Sequence, residues 1–150
     1  MGGEPWFYIV PYQPNITQAL NELKQREFNA GRYNPATPFP TFPVDLQAPA
    51  LGARHKTMQE ALRASGADGT RSILDMQRVA ERPGEAGYGV ITPVEKESLL
   101  ECFGTTWPTR EMIEDDLDIL ESADRGQGVY TLIYRDGQPA EIFFGGVSYD

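Results

Sequence analysis

The side chains with the most chemistry to offer in this 150-residue chain are carboxylates, and they are concentrated. Between Glu111 and Asp124 stand Glu111, Glu114, Asp115, Asp116, Asp118, Glu121 and Asp124, with no Lys or Arg among them. Residues 1–75 carry seven acidic and seven basic side chains, whereas residues 76–150 carry fifteen and six, which is the whole net charge of −9. A one-signed face sets up a field that attracts a basic partner or a cation and repels nucleic acid.

Other chemistry is excluded by count. One histidine, His55, and one cysteine, Cys102, cannot supply the four ligands of a structural zinc site. No G-x-x-x-x-G-K-[ST] loop is present to cradle a phosphate, and no G-x-G-x-x-G opens a helix. No G-x-S-x-G elbow is present, and the Glu114–Asp118 run lacks the central glycine and alternating ligands of an EF-hand. No metal and no cofactor are expected. His55 lies between Arg54 and Lys56 and reads as exposed, and Cys102 reads as a small packing residue.

The carboxylates need an element to present them, and the spacing predicts a helix over 108–123. On its wheel Met112, Ile113, Leu117, Ile119, Leu120 and Ala123 share one arc, while Glu111, Glu114, Asp115, Asp118 and Glu121 share the opposite one. Those five form the candidate partner-binding stripe; a plain solubilising face and a weak divalent site on Glu114, Asp118 and Glu121 are the alternatives. Asp116 points into the apolar arc. Glu27 does the same in an earlier helix, continuing the line Ile16, Leu20, Leu23. A buried carboxylate is costly unless it is paired or capped. The two are therefore either structurally satisfied or held in a pocket where a raised pKa could serve binding or acid–base work.

The remaining elements follow from local signals. Residues 6–12 read as an aromatic and β-branched strand that Pro11 ends. Asn15 caps a helix over 16–30 that Gly31 stops. Five prolines make 34–51 an extended loop, with Phe39, Phe42, Val44 and Leu46 as anchors. Its two P-x-x-P spacings could mark a polyproline ligand, but a wrapping loop is the simpler reading. Thr57 to Glu60 is a capping box for a short helix ending near Gly66. Residues 70–82 allow either helix or strand, and 88–91 reads as a strand. Thr92, Pro93 and Glu95 predict a helix running to about Phe103, with Gly104 after it. Asp136-Gly137 predicts a two-residue hairpin joining 129–135 to 138–144. Its register places Val129, Thr131, Ile133, Ala140, Ile142 and Phe144 on one face, and Tyr130, Leu132, Tyr134, Glu141 and Phe143 on the other. That second face is apolar enough to require a cover. Pro139 marks its strand as an edge near the turn.

The expectation is one globular α+β domain over 1–150, with an antiparallel sheet including the hairpin packed on three or four helices. No apolar run is long enough to span a membrane, and Met1–Pro5 lacks the features of a signal peptide. With one cysteine, this points to the cytoplasm. The leading functional expectation is a non-catalytic interaction module that docks on a basic partner. This is an inhibitor- or immunity-like role, resembling small intracellular inhibitors of basic toxins in charge and size alone. The alternative is a small-molecule binder or enzyme with Glu27 and Asp116 in its pocket. A homo-oligomer formed through the hairpin edge or its apolar second face is a third possibility.

Overall fold

Alternation in Trp6-Phe7-Tyr8-Ile9-Val10 decides the architecture, because a strand that is apolar on both sides needs a layer on each. The computed structural model describes residues 3–150. Five strands form one sheet: β1 (Pro5–Pro11), β2 (Arg78–Val79), β3 (Val90–Pro93), β4 (Gly128–Arg135) and β5 (Gln138–Val147), in the order β1-β5-β4-β3-β2. The helices are α1 (Ile16–Ala30), α2 (Met58–Ser65), α3 (Lys96–Phe103) and α4 (Arg110–Asp115). No described helix is long and apolar enough to cross a membrane.

The α+β class holds, but the sheet is mixed, not purely antiparallel. β1, β5 and β4 run antiparallel, while β2, β3 and β4 run parallel. The reason is the long connection through α3 and α4, a crossover that returns the chain parallel to β3. Trp6, Tyr8 and Val10 pack in a core with Leu20, Leu23 and Phe28 of α1; Phe7 and Ile9 pack in a second core with Leu99 of α3 and Ile113 of α4. The chain itself thus covers both faces of the hairpin.

The hairpin register differs from the expected one. Arg135 pairs with Gln138 and Tyr134 with Pro139, but Ile133 then pairs with Glu141, so Ala140 is the extra residue of a bulge. One inserted residue flips every side chain beyond it. Phe143 therefore joins Val129 and Ile133 in one core, and Ile142 and Phe144 join Tyr130 and Leu132 in the other. Beyond the turn β5 is not an edge, because β1 pairs with it from Glu141 to Val147; Gln138 and Pro139, next to the turn, lie outside that ladder. Most of the expected open hairpin edge is thus occupied by β1. The sheet's edges are β1 and β2. Phe42 of the proline-rich loop lies 6.3 Å from the Phe7 ring and 5.3 Å from the Tyr8 ring. Those two rings are on opposite faces, so Phe42 caps the outer edge of β1, as edge strands require. Val44 packs with it, while Phe39 and Leu46 are exposed, so only two of the four expected anchors pack on the body, both partly buried.

Capping explains the helices that match, and tertiary pairing explains the displaced start of α3. Asn15 Oδ1 accepts from the Gln18 N–H at 3.0 Å, and Gly31 ends α1 in the left-handed region at φ 75°. Asn15→Ala should cost about 1 kcal/mol in chemical denaturation, with an unchanged fold. Thr57 caps α2 in the same way, at 3.1 Å from the Glu60 N–H. The Thr92 cap does not form. Thr92 and Pro93 belong to β3, paired with Val129 and Tyr130, and the helix starts only at Lys96. Burial of Thr92 within the sheet outweighs its capping propensity.

The largest departure is the acidic helix. α4 stops at Asp115, Asp116 is extended at φ −145° and ψ 102°, and a 3-10 stretch covers Asp118–Ser122. Asp116 Oδ1 accepts the Asp118 N–H at 2.9 Å, a local bond that competes with the helical one. Like charges at i,i+4, such as Glu111/Asp115 and Glu114/Asp118, also disfavour a continuous helix. The 70–82 segment resolves into a 3-10 turn at Ile73–Asp75 followed by β2.

Candidate functional site

Breaking the helix rearranges the carboxylates. Glu111, Glu114 and Asp115 stay on α4, whereas Asp118 and Glu121 ride on the 3-10 stretch, so the five do not form one stripe. Glu114 is engaged: Arg110 pairs with it at 2.9 Å and with Glu141 at 3.0 Å. Among the described residues, the other six carboxylates from Glu111 to Asp124 have no ion-pair partner.

Two hollows lie beside the 3-10 stretch. One, of about 450 Å³, lies between it and α3, with Glu101, Asp116, Asp118 and Glu121 on its wall and Cys102 among them. The second, of about 480 Å³, is a shallow groove with an apolar lining of Pro5, Leu117, Leu120, Ala123 and Val147. Gly3, Asp118, Glu121, Asp124 and Arg125 complete its wall. Asp118 and Glu121 line both and form the ridge between them.

Electrostatics distinguish what these hollows can do. Burial pushes the Cys102 thiol up, and Asp116, Asp118, Glu101 and Glu121 add to the shift. That suppresses the thiolate, so Cys102 is poorly placed as a nucleophile. Among the described residues, no three His, Cys, Asp or Glu side chains converge as a metal ion would require. The weak divalent site on Glu114, Asp118 and Glu121 therefore has no geometry behind it. The arrangement offers negative potential beside an apolar surface, which suits a cationic, partly apolar segment.

Glu27 and Asp116 do not meet. Glu27 is fully buried on the α1 side of the sheet, while Asp116 is half-buried on the α3–α4 side. Glu27 is paired: Arg32 reaches it through Nη2 at 2.6 Å and Nε at 3.0 Å, and Arg26 through Nε at 3.0 Å. Asp116 lies at a helix end and caps a turn instead of entering an apolar arc. Both misfits thus have structural partners. Tyr8 is near Glu27; burial raises its hydroxyl far above the ordinary range, so it stays neutral and accepts the Ile73 N–H at 3.3 Å. His55 is half-buried, with Nδ1 2.7 Å from the buried Tyr33 hydroxyl, and serves as a clasp for the loop.

Several residues escaped sequence reasoning. Glu101 joins the acidic wall from α3, a neighbourhood that no local pattern encodes. Leu117 and Leu120 line the groove as well as the core because the helix breaks before them. Leu100, Trp107 and Met112 are exposed on the same α3–α4 segment, and Trp107 stacks on Tyr134 at 5.7 Å. Trp and Met are enriched at interfaces, and Trp is a common anchor there. No protein-family model, curated protein or solved structure matches the chain.

Proposed function

We propose that this protein is a non-catalytic docking module for a basic protein partner. The observation that carries the reading is the set of six carboxylates from Glu111 to Asp124 with no ion-pair partner among the described residues, three of which border the apolar groove beside β1. A solubilising surface alone would not need an apolar strip at its centre. The groove supplies a seat for one or two aliphatic side chains, and Asp118, Glu121 and Asp124 draw in and orient the Lys or Arg around them. Such a partner would associate quickly at low salt and slowly at high salt.

Co-purification from cells that make the protein tests this. A basic protein should be retained at about 0.1 M salt and released near 1 M, where the screening length falls from about 10 Å to about 3 Å. Retention of no salt-sensitive partner would count against the reading.

A further inference from the structure

After β5, Ser148–Asp150 forms a strap across one end of the sheet. The Ser148 N–H donates to the Glu4 carbonyl at 2.9 Å, and the Glu4 N–H donates back to Ser148 Oγ at 2.9 Å. Asp150 accepts from Arg71 through Nε at 2.9 Å and Nη2 at 2.5 Å. Between these ties the Tyr149 ring fills the spaces where β-carbons would stand on Gly69 and Gly126, both at positive φ.

Beneath the strap lies Asp75, only 5% exposed. Its Oδ1 accepts from the Thr70 N–H at 2.7 Å and the Thr70 hydroxyl at 2.8 Å. Its Oδ2 has no hydrogen bond among the described residues. Oδ2 lies 3.0 Å from the same Gly69 β-carbon position that the Tyr149 ring crowds, so the ring and the bare oxygen border one small space. Lys24 on α1 and Asp150 on the strap face Asp75 without touching it, and Tyr88 stacks loosely beside Tyr149 at 5.9 Å. Arg71 is committed to Asp150, with Asp68 and Glu4 also in its field.

A buried carboxylate with one bare oxygen is poorly solvated, whereas its neutral acid is tolerated. We propose that Asp75 is a proton-controlled latch for the Ser148–Asp150 strap. Protonated, it lies under Tyr149 and the strap stays closed. Once it gives its proton to solvent, Oδ2 recruits water, Asp150 is repelled, and the strap lifts. Burial pushes the Asp75 carboxyl above its ordinary value and Asp150 adds slightly to this, while the Thr70 donors and the Arg71 backbone N–H pull it down. Closure by this group is therefore complete below the ordinary Asp value and lost as pH rises through the raised one. Asp150 behaves oppositely. The Arg71 bond holds it below the ordinary value, so its tie is lost only as pH falls through that lowered value. The strap is closed between the two. The latch stands independently of the docking reading, since none of its members needs a partner.

The test follows the Asp75 carboxyl carbon by NMR from pH 3 to 9, together with amide protection at Ser148–Asp150. Strap protection should fall at the midpoint where Asp75 titrates, above about pH 4. Asp75→Asn should keep the strap protected above that midpoint. Thr70→Val removes a donor to the charged form and should move the midpoint upward, which covers the case of an unfolded Asp75→Asn. Constant strap protection while Asp75 titrates would overturn the latch. So would a carboxyl that does not titrate in this range, or an opening midpoint unmoved by Thr70→Val.

Discussion

Replacing Glu27 with alanine lowers folding stability by about 3–5 kcal/mol, the range for removing one partner of a buried ion pair. Glu27 is fully buried, and both of its oxygens are held by Arg32 and one also by Arg26. Without it, two guanidinium groups lose their counter-charge beside Tyr8. The side chains of Arg32 and Arg26 are 23% and 38% exposed, so they partly rehydrate, which places the loss near the lower end of the range. Glu27→Gln keeps an acceptor and should lose less. Urea denaturation of the three proteins measures this, and a Glu27→Ala loss below about 1 kcal/mol would show that the triad is not structural.

Phe143→Ala should cost a similar amount, about 3–5 kcal/mol, because it empties a fully buried aromatic site. Its value as a test lies in which neighbours respond. With the bulge at Ala140, Phe143 stacks 6.1 Å from Phe7 and shares the core of Ile133 and Leu120. In an unbulged hairpin it would instead share a face with Tyr130 and Leu132. Methyl shifts at Leu120 and Ile133, with Leu132 quiet, support the observed register; the opposite pattern would refute it. The cavity would also undermine Leu120, an apolar part of the groove.

Local signals carried much of the fold. Asn15 with Gly31, Thr57 with Gly66, and Asp136-Gly137 each act within a few residues, and each appears where the sequence places it. The failures have two causes: a distant partner that overrode a local preference, and a local bond that the helical pattern does not weigh. Thr92 is a sound helix cap that the parallel sheet claims as a strand residue. Ala140 fits an alternating strand and is nonetheless the bulge between the β4 pairs Tyr134/Pro139 and Ile133/Glu141, just where β5 begins to pair with β1 as well. At Asp116 an uninterrupted wheel hid the break, since it cannot weigh a side-chain bond to the Asp118 N–H against one more helical bond. The acidic character of the site was legible from composition alone. Its shape was not, because Glu101, Pro5 and Val147 come from three distant parts of the chain.

The docking claim is tested most directly by calorimetric titration of the co-purified basic partner into the native protein and into a triple variant, Asp118→Asn, Glu121→Gln and Asp124→Asn. These changes keep side-chain shape and remove only charge from the groove's wall. At about 0.2–1 kcal/mol per exposed contact, affinity should fall roughly 3- to 150-fold at low salt, and its salt dependence should flatten. Unchanged affinity with an unchanged salt dependence would contradict the assignment of this groove as the docking surface.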